Sequence, residues 1–167
     1  MEVGEKVISV ARSVLKMLGS ETAPIVILTG SGISAESGLA TFRDSGGLWE
    51  GHRVEDVATP EAFIRDPETV HRFYNERRRR LLDPTIKPNA AHIALAELEK
   101  QWSAPVTIIT QNVDDLHERG GSLDVIHMHG ELLKVRDLRT GEVRRWRSEC
   151  DDTNLSGDNF RGRPHIV

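Results

Sequence analysis

The chain has a single cysteine, Cys150, among 167 residues. That excludes an intrachain disulfide and a zinc site made of four cysteines. No apolar run approaches the ~20 residues that a membrane-spanning helix needs. The first residues lack the continuous apolar stretch of a secretory signal, because their apolar positions are periodic and broken by charge. A cytoplasmic protein is the expectation. There is no internal repeat and no low-complexity tract. A dominant charge is missing too: the formal net charge is -4, which gives no general reason to expect nucleic acid as a partner. What the chain does have is 38% hydrophobic and 29% charged residues, the balance of a globular domain with an adequate core. Its length fits one domain, with room for a small appendage.

Two apolar segments stand out, each handing over to a loop of small or polar residues. Pro24 to Thr29 leads into Gly30-Ser31-Gly32-Ile33-Ser34-Ala35-Glu36-Ser37-Gly38, and Val106 to Thr110 leads into Gln111-Asn112-Val113-Asp114. Uninterrupted apolar runs of this kind predict parallel strands covered on both faces. Strand ends that open into such loops predict the mouth of an α/β nucleotide site, where ligands sit beyond the carboxyl edge of the sheet. Val3, Val7, Ala11, Val14, Leu15 and Leu18 recur at helical spacing and predict an amphipathic first helix, ended by Gly19. Asp44-Ser45-Gly46-Gly47 reads as a flexible turn. Residues 60 to 82 read as helical with a break near Asp66-Pro67, closed by Asp83-Pro84. Asn89 is placed to cap a helix whose stripe is Ala91, Ala94, Leu95, Leu98 and Trp102. A third strand is expected around Asp124 to His129. Leu132 to Arg136 and Glu142 to Arg147 read as a hairpin, residues 148 to 164 as irregular, and Pro164-His165-Ile166-Val167 as the start of a strand.

Gly30 to Ala35 fits G-x-G-x-x-G/A after a strand, a pattern in which backbone can approach a phosphate. An ordinary tight strand-to-helix turn gives the same pattern. The acidic partner that a hydride-transferring dinucleotide fold wants about 20 residues later could only be Glu50, and its neighbours do not read as a strand end. On the 68 to 82 helix, Arg77 falls on the stripe of Val70, Phe73, Tyr74 and Leu81. Tyr74 and Arg77 are three apart and share a face. Two readings stay open: a receptor for a substrate carboxylate, with the phenol as second donor, or an arginine snorkelling to water from the run Arg77 to Arg80. That run has no interleaved aromatic platform for nucleic acid. His129 could be a general base, since imidazole titrates near neutral pH, or a strand-end histidine without a role. His127 could be a metal partner, but the sequence offers no third ligand and no metal is expected. His117 reads as structural or solvent-facing.

The nonapeptide Gly30 to Gly38 followed by Thr41-Phe42-Arg43, then Gln111-Asn112-Val113-Asp114, then His129-Gly130, resembles the ordered signatures of the sirtuins, the NAD-dependent protein lysine deacylases. The resemblance runs from about Pro24 to Arg136 and resumes at Arg163 to Val167. It implies NAD as co-substrate, held by Gly30, Ser31, Gly32, Ile33, Ala35, Glu36, Phe42, Arg43, Trp49, Gln111, Asn112, Val113 and Asp114. Ser31 stands where alanine is usual. Asn112 and Asp114 would hold ribose and carboxamide, and His129, with Asn112, would be catalytic. The implied reaction moves the acyl group of a modified protein lysine to ADP-ribose and releases nicotinamide, with His129 as base. Tyr74-x-x-Arg77, Thr41 and the stretch His52 to Pro60 resemble the branch that removes succinyl, malonyl or glutaryl groups, particularly its bacterial members, which often keep deacetylase activity.

The chain departs from the family in two places. Sirtuins usually carry a zinc module of two Cys-x-x-Cys pairs, and here Asp137 and Thr140 stand where the first pair should fall, so zinc is not expected. The strands that follow the Arg-Pro-His-Ile-Val segment in the family are absent, which points to the first part of a longer protein. The expected organisation is a Rossmann-like parallel sheet over residues 1–131 and 163–167, a helical insertion at about 44–82, and a reduced, metal-free small domain over 132–162. Three rivals to the deacylase remain: an inactive module binding NAD or ADP-ribose, a protein ADP-ribosyltransferase, and a plain Rossmann dehydrogenase.

Overall fold

Residues 3–17, 19, 22–41, 48–49, 51–137, 139–150 and 162–166 are described by a computed structural model of the chain. Chain order gives α1 (Val3–Met17), β1 (Ile25–Thr29), α2 (Gly32–Ala35), the short strands β2 (Leu48–Trp49) and β3 (His52–Arg53), then α3 (Val54–Val57), α4 (Pro60–Arg65), α5 (Pro67–Leu82) and α6 (Ala90–Gln101). After these come β4 (Val106–Thr110), α7 (Leu116–Gly120), β5 (Val125–His127), β6 (Gly130–Asp137), β7 (Val143–Arg145) and β8 (Gly162–Ile166). The expected turn at Asp44 to Gly47 lies outside the described residues, as do Leu18, Phe42 and Arg43.

The sheet that matters for function is parallel, in the order β1-β4-β5. Its register aligns Thr29 with Thr110, and Thr110 with His127. The carboxyl ends of all three strands therefore lie in one row, and the loops that follow them must leave from the same edge. One face of this sheet is covered. Ile25, Ile27 and Val106 pack with Val7, Ile8, Ala11 and Leu15 of α1 and Leu98 of α6, closed by Trp102. The other face differs from expectation. Val26 and Leu28 are 66% and 64% exposed, and Ile126 is exposed beside them. The two large helices that reach the sheet, α1 and α6, pack on each other and on the same side, so among the described residues the strands are covered once, not twice.

The helical segment follows its local signals. Pro60 starts α4 behind the Thr59 cap, whose hydroxyl accepts from Ala62 N at 3.1 Å. Asp66 ends α4 and caps α5, accepting from Thr69 N at 3.0 Å, with Pro67 in the first turn. Proline fixes φ there and needs no donor, so the chain can turn without losing a helical hydrogen bond. Asn89 caps α6 and shares a capping box with His92. The second core gathers around α5: Val70, Phe73, Tyr74 and Leu81 pack with Val57, Ala62, Ile86, Leu116 and Leu132.

The closing strand differs from expectation. β8 pairs antiparallel with β6, in a sheet of order β7-β6-β8, and not with the parallel sheet. β6 and β7 form the expected hairpin. Gly130 starts β6 at φ +83°, a conformation that side-chain-bearing residues rarely adopt, and this turns the chain sharply away from β5 directly after His129.

Candidate active site

Hydrogen bonds join the two sequence loops at the carboxyl edge. Asn112 Nδ2 donates to Gly30 O at 3.2 Å and to Ser34 Oγ at 3.1 Å. Ser34 Oγ in turn donates to Asp114 Oδ2 at 3.0 Å, and Leu116 N donates to Asp114 Oδ1 at 3.1 Å. Ser34, Asn112 and Asp114 are all buried. Burial pushes the Asp114 carboxyl above its ordinary value, against the pull of the Leu116 amide and the Ser34 hydroxyl. From outside this pair, Asn89 Nδ2 donates to Ile33 O at 2.7 Å and to Ser37 Oγ at 3.0 Å, fastening the glycine loop to the start of α6.

Three consecutive carbonyls of the second loop are each held from the β5–β6 side. Gln111 O accepts from His129 Nδ1 at 3.1 Å, Asn112 O from His127 Nδ1 at 3.0 Å, and Val113 O from Leu132 N at 2.8 Å. A carbonyl only accepts, so His129 carries its proton on Nδ1 in the neutral form, and Nε2 keeps a lone pair. His129 is exposed, so that lone pair is available to take a proton from a bound molecule. Gly32 is open on its outer side: a Cβ built there meets nothing within 4 Å.

Most of the residues expected from sequence thus come together: Gly30, Ser31, Gly32, Ile33 and Ala35 on one loop, Gln111 to Asp114 on the other, and His129 beside them. Glu36 is exposed at the far end of α2. Phe42 and Arg43 lie outside the described residues, and Trp49 is described by its backbone alone. Tyr74 and Arg77 stand on α5, and the Tyr74 cluster also takes in Val113 of the second loop. Arg77 does not snorkel. It is 7% exposed, its Nη1 donates to Phe73 O at 2.8 Å, and its guanidinium carbon lies 3.2 Å from the centre of the Phe73 ring. Burial raises the Tyr74 phenol well above its ordinary value, and the Arg77 charge only partly offsets this.

Of the two readings open for His117, structural or solvent-facing, the structure bears out the first, with partners that the sequence did not show. His117 is 0% exposed, and its Nε2 lies 3.0 Å from Thr29 Oγ1, directly under the glycine loop. Its ring meets that of His92 edge-on at 4.9 Å. The helical spacing from Asp114 to His117 could have flagged a buried position; its partner on β1 is too distant in sequence to be read. His127 has the further neighbours that the sequence did not show. Glu118, His127 and Glu131 bring one donor atom each within 4.8 Å. These groups satisfy one another and their surroundings: His127 Nε2 pairs with Glu118 Oε1 at 2.7 Å, and Glu131 pairs with Lys134.

The hairpin residues do not suit a thiolate zinc site. The Asp137 carboxylate caps the turn, accepting from Arg139 N at 2.7 Å and Thr140 N at 3.0 Å, and Thr140 is exposed. Cys150 is buried, and its backbone is clamped by Asn75 of α5: Asn75 Nδ2 donates to Cys150 O and Cys150 N donates to Asn75 Oδ1, both at 2.7 Å.

The sequence pattern of the Sir2 family matches residues 30–158. A NAD-dependent protein deacylase of Vibrio parahaemolyticus is 62% identical over 155 residues, covering 86% of this chain and 61% of the relative. One from Trypanosoma brucei brucei is 64% identical over 151 residues, covering 86% and 61%. The chain thus spans roughly half to three-fifths of the length of the curated relatives it matches, with coverage of 52% for a Yersinia pseudotuberculosis deacylase. Among solved structures, a Sir2 homologue in complex with NAD is 40% identical with a TM-score of 0.77, over 98% of this chain and 60% of that one. A Sir2 enzyme with a p53 peptide and NAD is 32% identical with a TM-score of 0.68, over 93% and 63%.

Proposed function

This chain belongs to the Sir2 family, and we propose that the protein is a NAD-dependent protein lysine deacylase. The observation that carries the reading is the joining of the glycine loop to the Asn112–Asp114 loop beside His129, at one edge of a parallel sheet. The residues fit NAD: the loop leaves open space over Gly32, and polar side chains of the second loop converge beside it. NAD, when bound, supplies the ADP-ribose that accepts the acyl group, with nicotinamide as leaving group. In this reading Gly30, Ser31, Gly32, Ile33 and Ala35 receive the diphosphate. Asn112 and Asp114 orient ribose and carboxamide from a braced position, so little freedom is lost on binding. His129 takes a proton at Nε2 while Gln111 O holds its Nδ1–H. The resemblance adds Phe42, Arg43, Trp49, Glu36, Gln111 and Val113 to the NAD-binding set.

We further infer that acidic acyl groups are preferred, with Tyr74 and Arg77 receiving the carboxylate. A guanidinium carried inside an apolar cluster supports this, because there an anion gains more from it than it would in water. The protein belongs in the cytoplasm in this reading, acting on acylated lysines of other proteins. In this reading residues 1–131 make up the NAD-binding unit, with a helical insertion at about 44–82, and 132–162 a small domain without metal. The closing segment 163–167 is expected with the NAD-binding unit, but β8 pairs with β6 instead. The test is mass spectrometry of matched succinyl-lysine and acetyl-lysine peptides, incubated with and without NAD, using this chain and a longer protein that extends it to the length of its relatives. NAD-dependent loss of acyl groups with succinyl favoured supports both parts. Loss of neither group from the longer protein, with folding confirmed, overturns the deacylase. His129→Ala should abolish turnover and leave NAD binding in place; preserved turnover would remove His129 from the mechanism.

A further inference from the structure

His127 is a second histidine at the site with no part in the reaction just proposed, and both of its ring nitrogens face acceptors. Nδ1 lies 3.0 Å from the Asn112 carbonyl, and Nε2 lies 2.7 Å from Glu118 Oε1. A carbonyl can only accept, and so can an ionised carboxylate, whereas a neutral imidazole has one N–H to give. Only the imidazolium satisfies both contacts.

We propose that His127 is a positioning residue: as an imidazolium strung between Asn112 O and Glu118, it fixes the loop from Gln111 to Asp114 against α7 and β5 in the shape that NAD requires. This rests on the NAD-dependent reading above. The charged groups around it come from every neighbouring element. Glu118 faces it from α7 and Glu131 from β6, Asp114 lies in the loop it holds, and His117 sits behind it on α7. Burial opposes the charge, but the Glu118 and Asn112 hydrogen bonds and the two glutamates outweigh it, so the ring is held above its ordinary value. The Glu118 carboxyl is held below its own, with the His127 bond overcoming burial. The bond network therefore selects the charged pair. His127 is 7% exposed at its side chain, so water cannot readily replace a lost partner.

The geometry also says why the position matters. The Asn112 side chain spans Gly30 and Ser34, and its carbonyl is the group that His127 grips. A rotation of that peptide would shift the amide that ties the two loops together. Displacements of about 1 Å at a reacting site cost on the order of a hundredfold in rate. Deprotonation of His127 must surrender one of its two bonds, so loop order should fall as pH rises through the raised value.

The test begins with nitrogen-15 NMR on histidine-labelled protein, which needs no activity. Both His127 ring nitrogens should be protonated at neutral pH, and one bare nitrogen there would overturn the proposal. NAD titration of variants follows. His127→Phe and His127→Gln should weaken NAD binding by roughly ten- to a hundredfold, and unchanged affinity in a folded variant would overturn it. Glu118→Gln can donate to a neutral Nε2, so it should keep NAD affinity and abolish its fall at alkaline pH. A purely structural role would instead lower thermal stability in all three variants and leave that pH profile alone. If the unsubstituted protein binds no NAD, the deacylase reading fails by itself. Backbone amide exchange at Asn112 to Asp114 in His127→Gln then decides: faster exchange than in the unsubstituted protein supports the latch, and equal exchange refutes it.

Discussion

Removing the Asn75 side chain should loosen the segment that follows β7, at Cys150, from α5. Asn75 is buried and holds both backbone groups of Cys150, each at 2.7 Å. Arg78 joins the clamp: its Nη1 donates to Asn75 Oδ1 at 2.7 Å and its Nε to Leu132 O at 3.2 Å. Arg78 is 1% exposed, and burial pulls its pKa below the ordinary value. Asn75→Ala removes the bonds to the Cys150 N–H and C=O in a buried place and strips Arg78 of an acceptor. Each lost bond of this kind costs about 1–3 kcal/mol. Some relief by water brings the total to about 2–5 kcal/mol. For a domain of this size each kcal/mol moves the melting midpoint by about 2–4 °C, so the loss should be about 4–20 °C. The assay is thermal unfolding with and without a chelator. The clamp is made of hydrogen bonds, and Asp137 is committed to its own turn, so chelation should leave the midpoint unchanged. A midpoint indifferent to Asn75→Ala, or one that falls on chelation, would refute the reasoning.

Gly120→Ala places a Cβ 3.1 Å from His92 Cβ and 3.3 Å from its carbonyl carbon and oxygen, so α6 or α7 must give by a few tenths of an ångström. The expected cost is about 1–3 kcal/mol, read as a lower denaturant midpoint, and a neutral result would mean that α7 shifts freely. Burial lowers His92 from 6.5 to about 4, with His117 adding repulsion, and His117 is lowered in the same direction. Their unfolded forms take up protons first, so the stability they contribute is complete above the unfolded value and drains away as pH falls toward 4. His92 alone accounts for up to about 3 kcal/mol; denaturation midpoints measured down this range should fall less steeply in His92→Asn. Arg77→Met should reduce desuccinylation roughly ten- to a hundredfold more than deacetylation, the worth of hydrogen bonds to a charged group. Equal losses on the two peptides would sink the carboxylate receptor.

The loops and caps were legible because their chemistry is local. Asp66-Pro67 can break a helix, and Asn89 can cap one, whatever surrounds them, and the structure puts the break and the cap at those residues. Gly30 to Ala35 and Gln111 to Asp114 were legible as loops for the same reason: small and polar residues directly after an apolar run end a strand, and both loops leave the sheet there. Partners distant in sequence were not legible. Nothing near Pro164 says that it lies opposite Val135, and nothing near Cys150 names Asn75. The apolar run of β1 promised two covered faces, but such a run reports tolerance of burial and not which elements supply it. Here α1 and α6 share one side, so Ile25 and Ile27 are packed while Val26 and Leu28 are exposed.

The histidines make the same point about chemistry. Sequence distinguishes His117, His127 and His129 only by neighbours, and all three follow the same loop. Structure separates them by what their nitrogens face. His117 is sealed beside Thr29 and lowered by burial, so it is a neutral spacer. His127 faces two acceptors, which its charged form alone can serve, and its partners hold it above its ordinary value, as the proposed latch requires. His129 gives one N–H to Gln111 O and keeps the other nitrogen toward solvent. In the proposed reading one residue type thus supplies a spacer, a latch and a base within a short stretch. The assignment follows from counting donors against acceptors at each ring, a count that needs the partners and therefore the fold.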